Sequence, residues 1–151
     1  ITFGDPLLTT QQDHVEIVNA ICQEFSDLPS DCALILMGHG TSHYANDVYA
    51  ALDYRFKDLG HDNIHLATVE GYPTLENVIR LVKEQGAKKV ILTPFMIVAG
   101  DHARNDMSGE DEDSWKNQFQ AAGYEVECCL KGLGEYPAVQ NMLIRHVTEV
   151  C

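Results

Sequence analysis

Residues 32–40 have the sequence CALILMGHG, in which six apolar side chains precede Gly38 without a polar interruption. An apolar run of this length, ended by a glycine, is typical of a strand that is buried on both faces. Such strands occur in parallel sheets that helices cover on both sides. The stretch therefore predicts a fully buried strand in an α/β domain.

Apolar runs alternate with segments of helical spacing along the rest of the chain. Three more strands are predicted, at Ile64–Val69, Lys89–Phe95 and Tyr124–Cys129. Helices are predicted at Asp13–Phe25, at Tyr44–Leu59, from the capping residue Thr74 to Gln85, from a Ser108 cap through Ala122 and at Pro137–Val150, with a polar loop from Ala99 to about Gly109. Because strands and helices alternate, we expect an open, doubly wound, four-stranded parallel sheet with helices on both faces.

The length and charge of the chain limit its class and its partners. Its 151 residues suit a single domain, and 45% of them are hydrophobic, which suffices for a core. Ten Lys and Arg face 23 Asp and Glu, which gives a formal charge of −13. This charge disfavours nucleic acid and an anionic membrane surface as partners. No apolar run approaches the ~20 residues of a membrane helix.

The cysteines and the first residue give information about the cellular compartment of the protein and about the start of the sequence. The five cysteines form no Cys-x-x-Cys pair, and their number is odd. This pattern predicts free thiols in a reducing compartment, and we expect the cytoplasm. The sequence starts at Ile1, and no signal-peptide pattern follows. We therefore expect it to begin within a longer protein or after processing.

Metal-capable side chains follow three of the predicted strands. His39, Glu70 and His102 come soon after the first, second and third strand, about one strand-helix repeat apart. In open parallel sheets, ligands bind beyond the carboxyl ends of the strands, so these side chains can converge. Two imidazoles and one carboxylate suit a borderline divalent ion such as Co²⁺, Fe²⁺, Ni²⁺ or Zn²⁺. Three protein ligands leave one coordination position open, which is typical of a reactive site.

Glycines accompany each of the three predicted ligands. Gly38 and Gly40 flank His39, which permits a tight turn and leaves space for a bulky ligand. The alternative is that the glycines simply end strands and that His39 caps a helix. For one site alone this alternative is the better interpretation, but three equivalent sites favour metal binding.

Several other residues have two interpretations. His43 can flank the metal or be a surface imidazole, and Arg104 can pair with a substrate carboxylate or be solvated. The acids at Glu110–Asp113 can attract cations or complement a helix dipole. Trp115 and Tyr72 can stack on a macrocycle or pack in the core or its rim.

Four strings carry a resemblance to a known family. They are MGHGTSHYAN at Met37–Asn46, VEGYP at Val69–Pro73, GDHARNDMSGEDEDSWK at Gly100–Lys116 and GLGEYPAVQ at Gly132–Gln140. They closely resemble the anaerobic sirohydrochlorin cobaltochelatases of cobalamin biosynthesis, which are class II chelatases. The similarity runs through the whole chain.

The resemblance implies a reaction and a role for each predicted ligand. Members of the family insert Co²⁺ into a sirohydrochlorin-type tetrapyrrole without ATP. The family's metal ligands fall on His39, Glu70 and His102, and the histidine that is proposed to take protons from the pyrrole nitrogens falls on His39. These three are therefore the predicted catalytic and metal-binding residues of a single chelatase-like domain at residues 1–151.

One departure from the family concerns its second half. Full-length members resemble two such domains facing each other across a cleft, and this chain resembles the C-terminal one. We therefore expect a homo-oligomer or a missing N-terminal domain to complete the cleft. Three classes of function follow: a chelatase acting with a partner domain, a metal- or tetrapyrrole-binding module without efficient turnover, and a structural domain whose histidines cap loops. The sequence has no Gly-Lys-Ser/Thr phosphate loop and no Gly-x-Ser-x-Gly elbow.

Overall fold

The computed structural model describes residues 3–150. Its strands are β1 at Cys32–Gly38, β2 at Ile64–Thr68, β3 at Lys89–Pro94 and β4 at Glu125–Cys128. They form one sheet in the order β2-β1-β3-β4, and every pairing is parallel. Leu34 of β1 pairs with Ile64 on one side and with Ile91 on the other, and all seven residues of β1 are buried. The buried first strand predicted from the sequence is confirmed.

Within residues 3–150, six α-helices cover the sheet. They are α1 at Gln11–Glu24, α2 at Asp47–Asp58, α3 at Leu75–Gln85, α4 at Asp101–Ser108, α5 at Trp115–Ala121 and α6 at Pro137–Thr148, with short 3₁₀ turns at Tyr44–Asn46 and Leu133–Glu135. The buried residues of α1, α2 and α6 form a core with Leu34 and Leu36 of β1. Those of α3, α4 and α5 form a second core with Ile35 and Met37. Alternate residues of β1 thus enter the two cores, and the doubly wound fold is confirmed.

The region after β3 corrects one prediction. The segment from Ala99 to about Gly109 was predicted to be a polar loop, but most of it forms α4. Ala103 and Met107 lie one helical turn apart and are buried in the second core. Two apolar residues among polar ones are too few to give a recognisable helical period, although they suffice to pack one short helix against the second core.

The start of the next helix is also corrected. Ser108 ends α4, and its hydroxyl donates to the Arg104 carbonyl at 2.9 Å. Ser114 is the residue that caps α5, because its hydroxyl accepts from the Asn117 amide at 3.3 Å. The acids at Glu110–Asp113 therefore lie in the turn between two helices, and the interpretation that they form a first helical turn is wrong.

The outer edge of β2 is occupied by side chains of α2. The Asp53 carboxylate accepts from the Leu66 amide at 2.8 Å, and the Lys57 ammonium donates to the Ile64 carbonyl. Asp53 and Lys57 also form an ion pair at 2.9 Å. Because an unpaired strand edge is the usual template for pairing with another chain, we expect any self-association to use a different surface.

Two further predictions concern the thiols and the membrane. Cys22, Cys32, Cys128 and Cys129 are free thiols, as predicted, while Cys151 lies outside the described residues. Burial raises the pKa of the Cys22, Cys32 and Cys128 thiols, which favours their neutral form. Among residues 3–150, no helix is long and apolar enough to cross a membrane.

An ionic cluster ties the N-terminal segment to α1 and α6. The fully buried Asp13 carboxylate accepts from the Leu8 amide at 3.0 Å, from Arg145 at 2.8 Å and from Nε2 of His146 at 2.9 Å. Nδ1 of His146 lies 2.7 Å from the Asp5 carbonyl. Both ring nitrogens therefore face acceptors, and only the imidazolium can donate to both. The Asp13 hydrogen bond, followed by the Asp5 carbonyl, raises the pKa of His146.

We predict that the stability of the fold depends on the protonation of His146. Because its folded-state pKa is raised, its contribution is complete below the unfolded value of about 6.5. The contribution is lost as the pH rises through the folded pKa. Urea unfolding should therefore show a gap between wild type and His146→Gln that is largest near pH 6 and shrinks towards pH 9.

The half-buried His61 offers a matched control. His61→Gln should differ from wild type by a small and nearly constant amount over the same range. A gap for His146→Gln that does not change with pH would contradict the assignment of a charged His146.

Candidate metal centre at the carboxyl edge of the sheet

The strand order brings the three predicted ligands to neighbouring positions. Because β1 lies between β2 and β3, His39 follows the central one of three adjacent strands. Glu70 follows β2 on one side, and His102 follows β3 on the other, as the second residue of α4. All three side chains are exposed at this edge.

His39 and Glu70 form a pair because the ladder between β1 and β2 continues beyond the strands. The Val69 amide donates to the Gly38 carbonyl at 3.0 Å, and the Glu70 amide donates to the His39 carbonyl at 2.9 Å. These bonds hold the two side chains side by side, with 3.8 Å between Nδ1 of His39 and Oε2 of Glu70. Each side chain is 64% exposed, so a large ligand can approach the pair from solvent.

The surroundings of His39 select one tautomer. Its Nδ1 lies 3.0 Å from the Gly40 carbonyl oxygen, which can only accept a hydrogen bond. Nδ1 must therefore carry the proton, and the nearby Glu70 carboxylate favours the same arrangement. In a neutral ring, the lone pair then resides on Nε2, which becomes the atom that can bind a cation or accept a proton.

The glycines beside His39 are required by close contacts. A Cβ at Gly38 would lie 2.4 Å from the Tyr49 ring. Gly40 has a φ of +81°, and a Cβ there would lie 2.6 Å from the Gly71 amide nitrogen. The two glycines therefore do more than end a strand. Gly38 lets the backbone pack against Tyr49 of α2, and Gly40 lets the loop after β1 pack directly against the loop after β2.

His102 is the predicted ligand that the structure does not bring into this pair. It lies in the exposed first turn of α4, which begins after Gly100 without a side-chain cap. Within residues 3–150, no three His, Cys, Asp or Glu side chains are arranged closely enough to hold a metal ion together. The structure thus brings together His39 and Glu70, with His102 in the first turn of α4 after the neighbouring strand, and the three-ligand set stays a prediction.

The residues with two interpretations are placed as follows. Nδ1 of His43 accepts from the Ala45 amide at 3.2 Å, so this surface imidazole caps the short turn before α2. Arg104 is exposed, and its Nε donates to the Ala99 carbonyl at 3.0 Å. Trp115 is buried in the second core, so stacking on a macrocycle is wrong for this residue. Tyr72 is 62% exposed and remains available for such a contact.

Apolar side chains rim the same edge. Ile97 and Val98 follow β3 and are 42% and 71% exposed, and Tyr44 is exposed beyond β1. A polar pair and exposed apolar groups at the same edge of the sheet suit a large ligand with an apolar face and polar atoms.

Sequence analysis missed one residue that belongs to this edge, Asn46. Its side chain bonds to both loops that carry the His39–Glu70 pair. Its contact with Tyr72 spans 26 residues, and a contact over that distance leaves no local pattern in the sequence.

Comparison with solved structures defines the class of fold. The chain is similar to a CbiX protein from Marinobacter aquaeolei, with a TM-score of 0.58 and 20% identity, over 78% of this chain and 93% of that one. It is also similar to a multi-domain protein from Deinococcus radiodurans with structural similarity to chelatases, with a TM-score of 0.58 and 19% identity, over 90% of this chain and 30% of that one. The fold is therefore chelatase-like, as predicted.

Sequence comparison defines the family. The model of the cobalt chelatase (CbiK) family matches residues 1–151, and the chain belongs to this family. It is 40% identical to the sirohydrochlorin cobaltochelatase of Salmonella typhimurium, over 97% of this chain and 55% of that protein. It is 33% identical to the sirohydrochlorin cobaltochelatase CbiKC of Nitratidesulfovibrio vulgaris, over 97% of this chain and 52% of that protein. The chain thus spans about half the length of these curated relatives.

We predict that neutral His39 carries its proton on Nδ1. Nitrogen-15 NMR of labelled protein at alkaline pH, assigned with the His39→Gln variant, should show a protonated Nδ1 and an unprotonated Nε2. The reason is that the Gly40 carbonyl and the Glu70 carboxylate both face Nδ1. The opposite pattern, with the proton on Nε2, would show that this nitrogen is not free to bind a metal.

Proposed function

We propose that this chain is the metal-binding half of a sirohydrochlorin cobaltochelatase, which inserts Co²⁺ into a tetrapyrrole in anaerobic cobalamin biosynthesis. The observation that carries the proposal is the open pair of His39 and Glu70 at the carboxyl edge of the sheet. Membership of the cobalt chelatase family supports the same assignment. In this reaction Co²⁺ is a substrate, and no ATP is needed.

Metal insertion requires three physical steps that these residues can assist. Water must leave the ion, two pyrrole protons must be removed, and the ring must bend so that a nitrogen lone pair reaches the metal. We assign ion binding to Nε2 of His39, to Glu70 and to His102, with the carboxylate supplying the negative charge. After the ion has passed to the ring nitrogens, the freed Nε2 of His39 accepts a pyrrole proton, because imidazole exchanges protons near neutral pH.

The ligand set is suited to release as well as to binding. A shell of three protein ligands leaves a position through which a ring nitrogen can enter. The exposed His39–Glu70 pair is not enclosed by protein, so the macrocycle can approach the ion directly. The same donors also accept Zn²⁺, Ni²⁺ and Fe²⁺, since borderline divalent ions share these preferences.

The macrocycle needs a second wall that this chain does not provide by itself. The exposed apolar groups at Tyr72, Ile97 and Val98 form one wall. The substrate carries many carboxylates, whereas the chain has a formal charge of −13, so local cations must offset repulsion. Arg104 lies close to His102 in sequence and provides one such cation. A second copy of the chain or an N-terminal domain supplies the opposite wall.

The alternative is a metal- or tetrapyrrole-binding module without efficient turnover. The observation that favours it is that His39 and Glu70 lie exposed at one edge of a single sheet. Binding an ion needs one edge of one sheet, whereas holding a ring against that ion needs two surfaces.

We predict that the chain binds one Co²⁺ through the proposed ligands. In titration calorimetry, His39→Ala and His102→Ala should each weaken binding tenfold or more, and every factor of ten is about 1.4 kcal/mol. His61 lies before β2, at the opposite edge of the parallel sheet, and His61→Ala should bind Co²⁺ as wild type does. Equal affinity for wild type, His39→Ala and His102→Ala would refute the ligand assignment.

We also predict that turnover depends on a second wall. The absorbance change on cobalt insertion into sirohydrochlorin, after subtraction of the uncatalysed rate, should be slow for dilute chain. The rate per chain should rise with protein concentration or on addition of an N-terminal half, because either supplies the second surface. Rapid turnover by a chain that sedimentation shows to be monomeric would contradict this requirement, although it would support the chelatase assignment.

A further inference from the structure

We propose that Asn46 is the positioning residue of the metal centre, because its side-chain amide holds together the two loops that carry His39 and Glu70. The inference rests on the proposed function, since it concerns the same site. Asn46 does not touch the metal in this account. It acts through the geometry of the pair.

The contacts of Asn46 use both ends of its amide. Its Oδ1 accepts from the Thr41 amide at 3.0 Å, in the loop after β1. Its Nδ2 donates to the Tyr72 carbonyl at 2.7 Å, in the loop after β2. One side chain therefore joins a residue just beyond His39 to a residue just beyond Glu70.

Asn46 stands at the N-cap position of α2, but it is not used as a cap. Asparagine is one of the preferred capping residues, and its oxygen would ordinarily accept from the first turn of the helix. At this position the side chain makes no capping bond, and the amide reaches the two loops instead. The amide of Asn46 thus makes long-range bonds and no capping bond.

The loop after β2 leaves space for this amide. A Cβ at Gly71 would lie 2.2 Å from Oδ1 of Asn46, so a larger residue would displace it. The Gly71 amide donates to the Thr68 hydroxyl at 3.0 Å, and that hydroxyl donates to the Pro73 carbonyl at 3.1 Å. The loop is therefore shaped around Asn46 on one side and anchored to β2 on the other.

His39 and Glu70 are held in place mainly through their backbones. His39 and Glu70 are each 64% exposed, so core packing does not restrain their side chains. The backbone bond from Glu70 to His39 lies beyond the last residues of the two strands, and ladders open most often at their ends. The two hydrogen bonds of Asn46 lie beyond this point and oppose such opening, which keeps the Glu70 carboxylate beside the His39 imidazole.

The test compares Asn46→Ala with a matched control at the other end of the same strands. Asn63 donates from Nδ2 to the Cys32 carbonyl at 3.0 Å, so Asn63→Ala also removes a side-chain bond between the β1 and β2 regions. Calorimetry with Co²⁺ alone should show about tenfold weaker binding for Asn46→Ala, which corresponds to about 1.4 kcal/mol. Asn63→Ala should bind Co²⁺ as wild type does, although both variants should unfold at lower temperature.

A double-mutant cycle shows whether Asn46 acts through Glu70. In the Glu70→Ala background, Asn46→Ala should weaken Co²⁺ binding by much less than tenfold, because no carboxylate remains to be positioned. The visible spectrum of bound Co²⁺ should differ between wild type and Asn46→Ala and be the same for wild type and Asn63→Ala. If Asn46→Ala does not fold, as judged by circular dichroism, Asn46→Ser replaces it with the same expectations.

Each outcome is decisive. Unchanged Co²⁺ affinity in folded Asn46→Ala would overturn the proposal, as would equal losses in Asn46→Ala and Asn63→Ala, or a full additive loss in the Glu70→Ala background. If the proposed metal site itself is wrong, wild type and His39→Ala will bind Co²⁺ equally. This result separates failure of the metal site from failure of the Asn46 proposal.

Discussion

Strand β1 hydrogen-bonds to β2 on one side and to β3 on the other, and its alternate side chains enter the two cores of the domain. This double pairing places the end of β1 at the centre of the carboxyl edge. His39 therefore stands between the loops that carry Glu70 and His102. Since parallel strands end at the same edge of a sheet, the site arises from the topology and needs no local sequence motif to bring distant residues together.

The pairing also extends past the strands, and this extension brings His39 and Glu70 together. The backbone bonds from Val69 to Gly38 and from Glu70 to His39 continue the register of the ladder into the loops. Gly40 and Gly71 allow those loops to touch, and Asn46 joins them. The exposed side chains of His39 and Glu70 thus depend on a well-bonded backbone beneath them, and the candidate site can be open to solvent while its geometry is defined.

The strands and most helices could be predicted because each carries its own signal, such as the apolar run at β1 or the Thr74 cap of α3. The proximity of His39 and Glu70 also followed, since it depends only on parallel strand ends. The helix α4 could not be recognised from Ala103 and Met107 alone. The residue that caps α5 is Ser114, but Ser108 is an equally suitable capping residue, and the sequence does not distinguish the two. Asn46 was missed because its partners lie in separate loops, and no short-range pattern encodes a bridge between them.

The central claim is that Co²⁺ binds at this edge through His39, Glu70 and His102. The most direct measurement is an anomalous difference map from crystals grown with Co²⁺, recorded at the cobalt absorption edge. The account predicts one strong peak bonded to Nε2 of His39, to a carboxylate oxygen of Glu70 and to a ring nitrogen of His102, with the first turn of α4 moved towards the pair. A peak elsewhere, for example among the acids at Glu110–Asp113, or one that His39 or His102 does not bind, would contradict it.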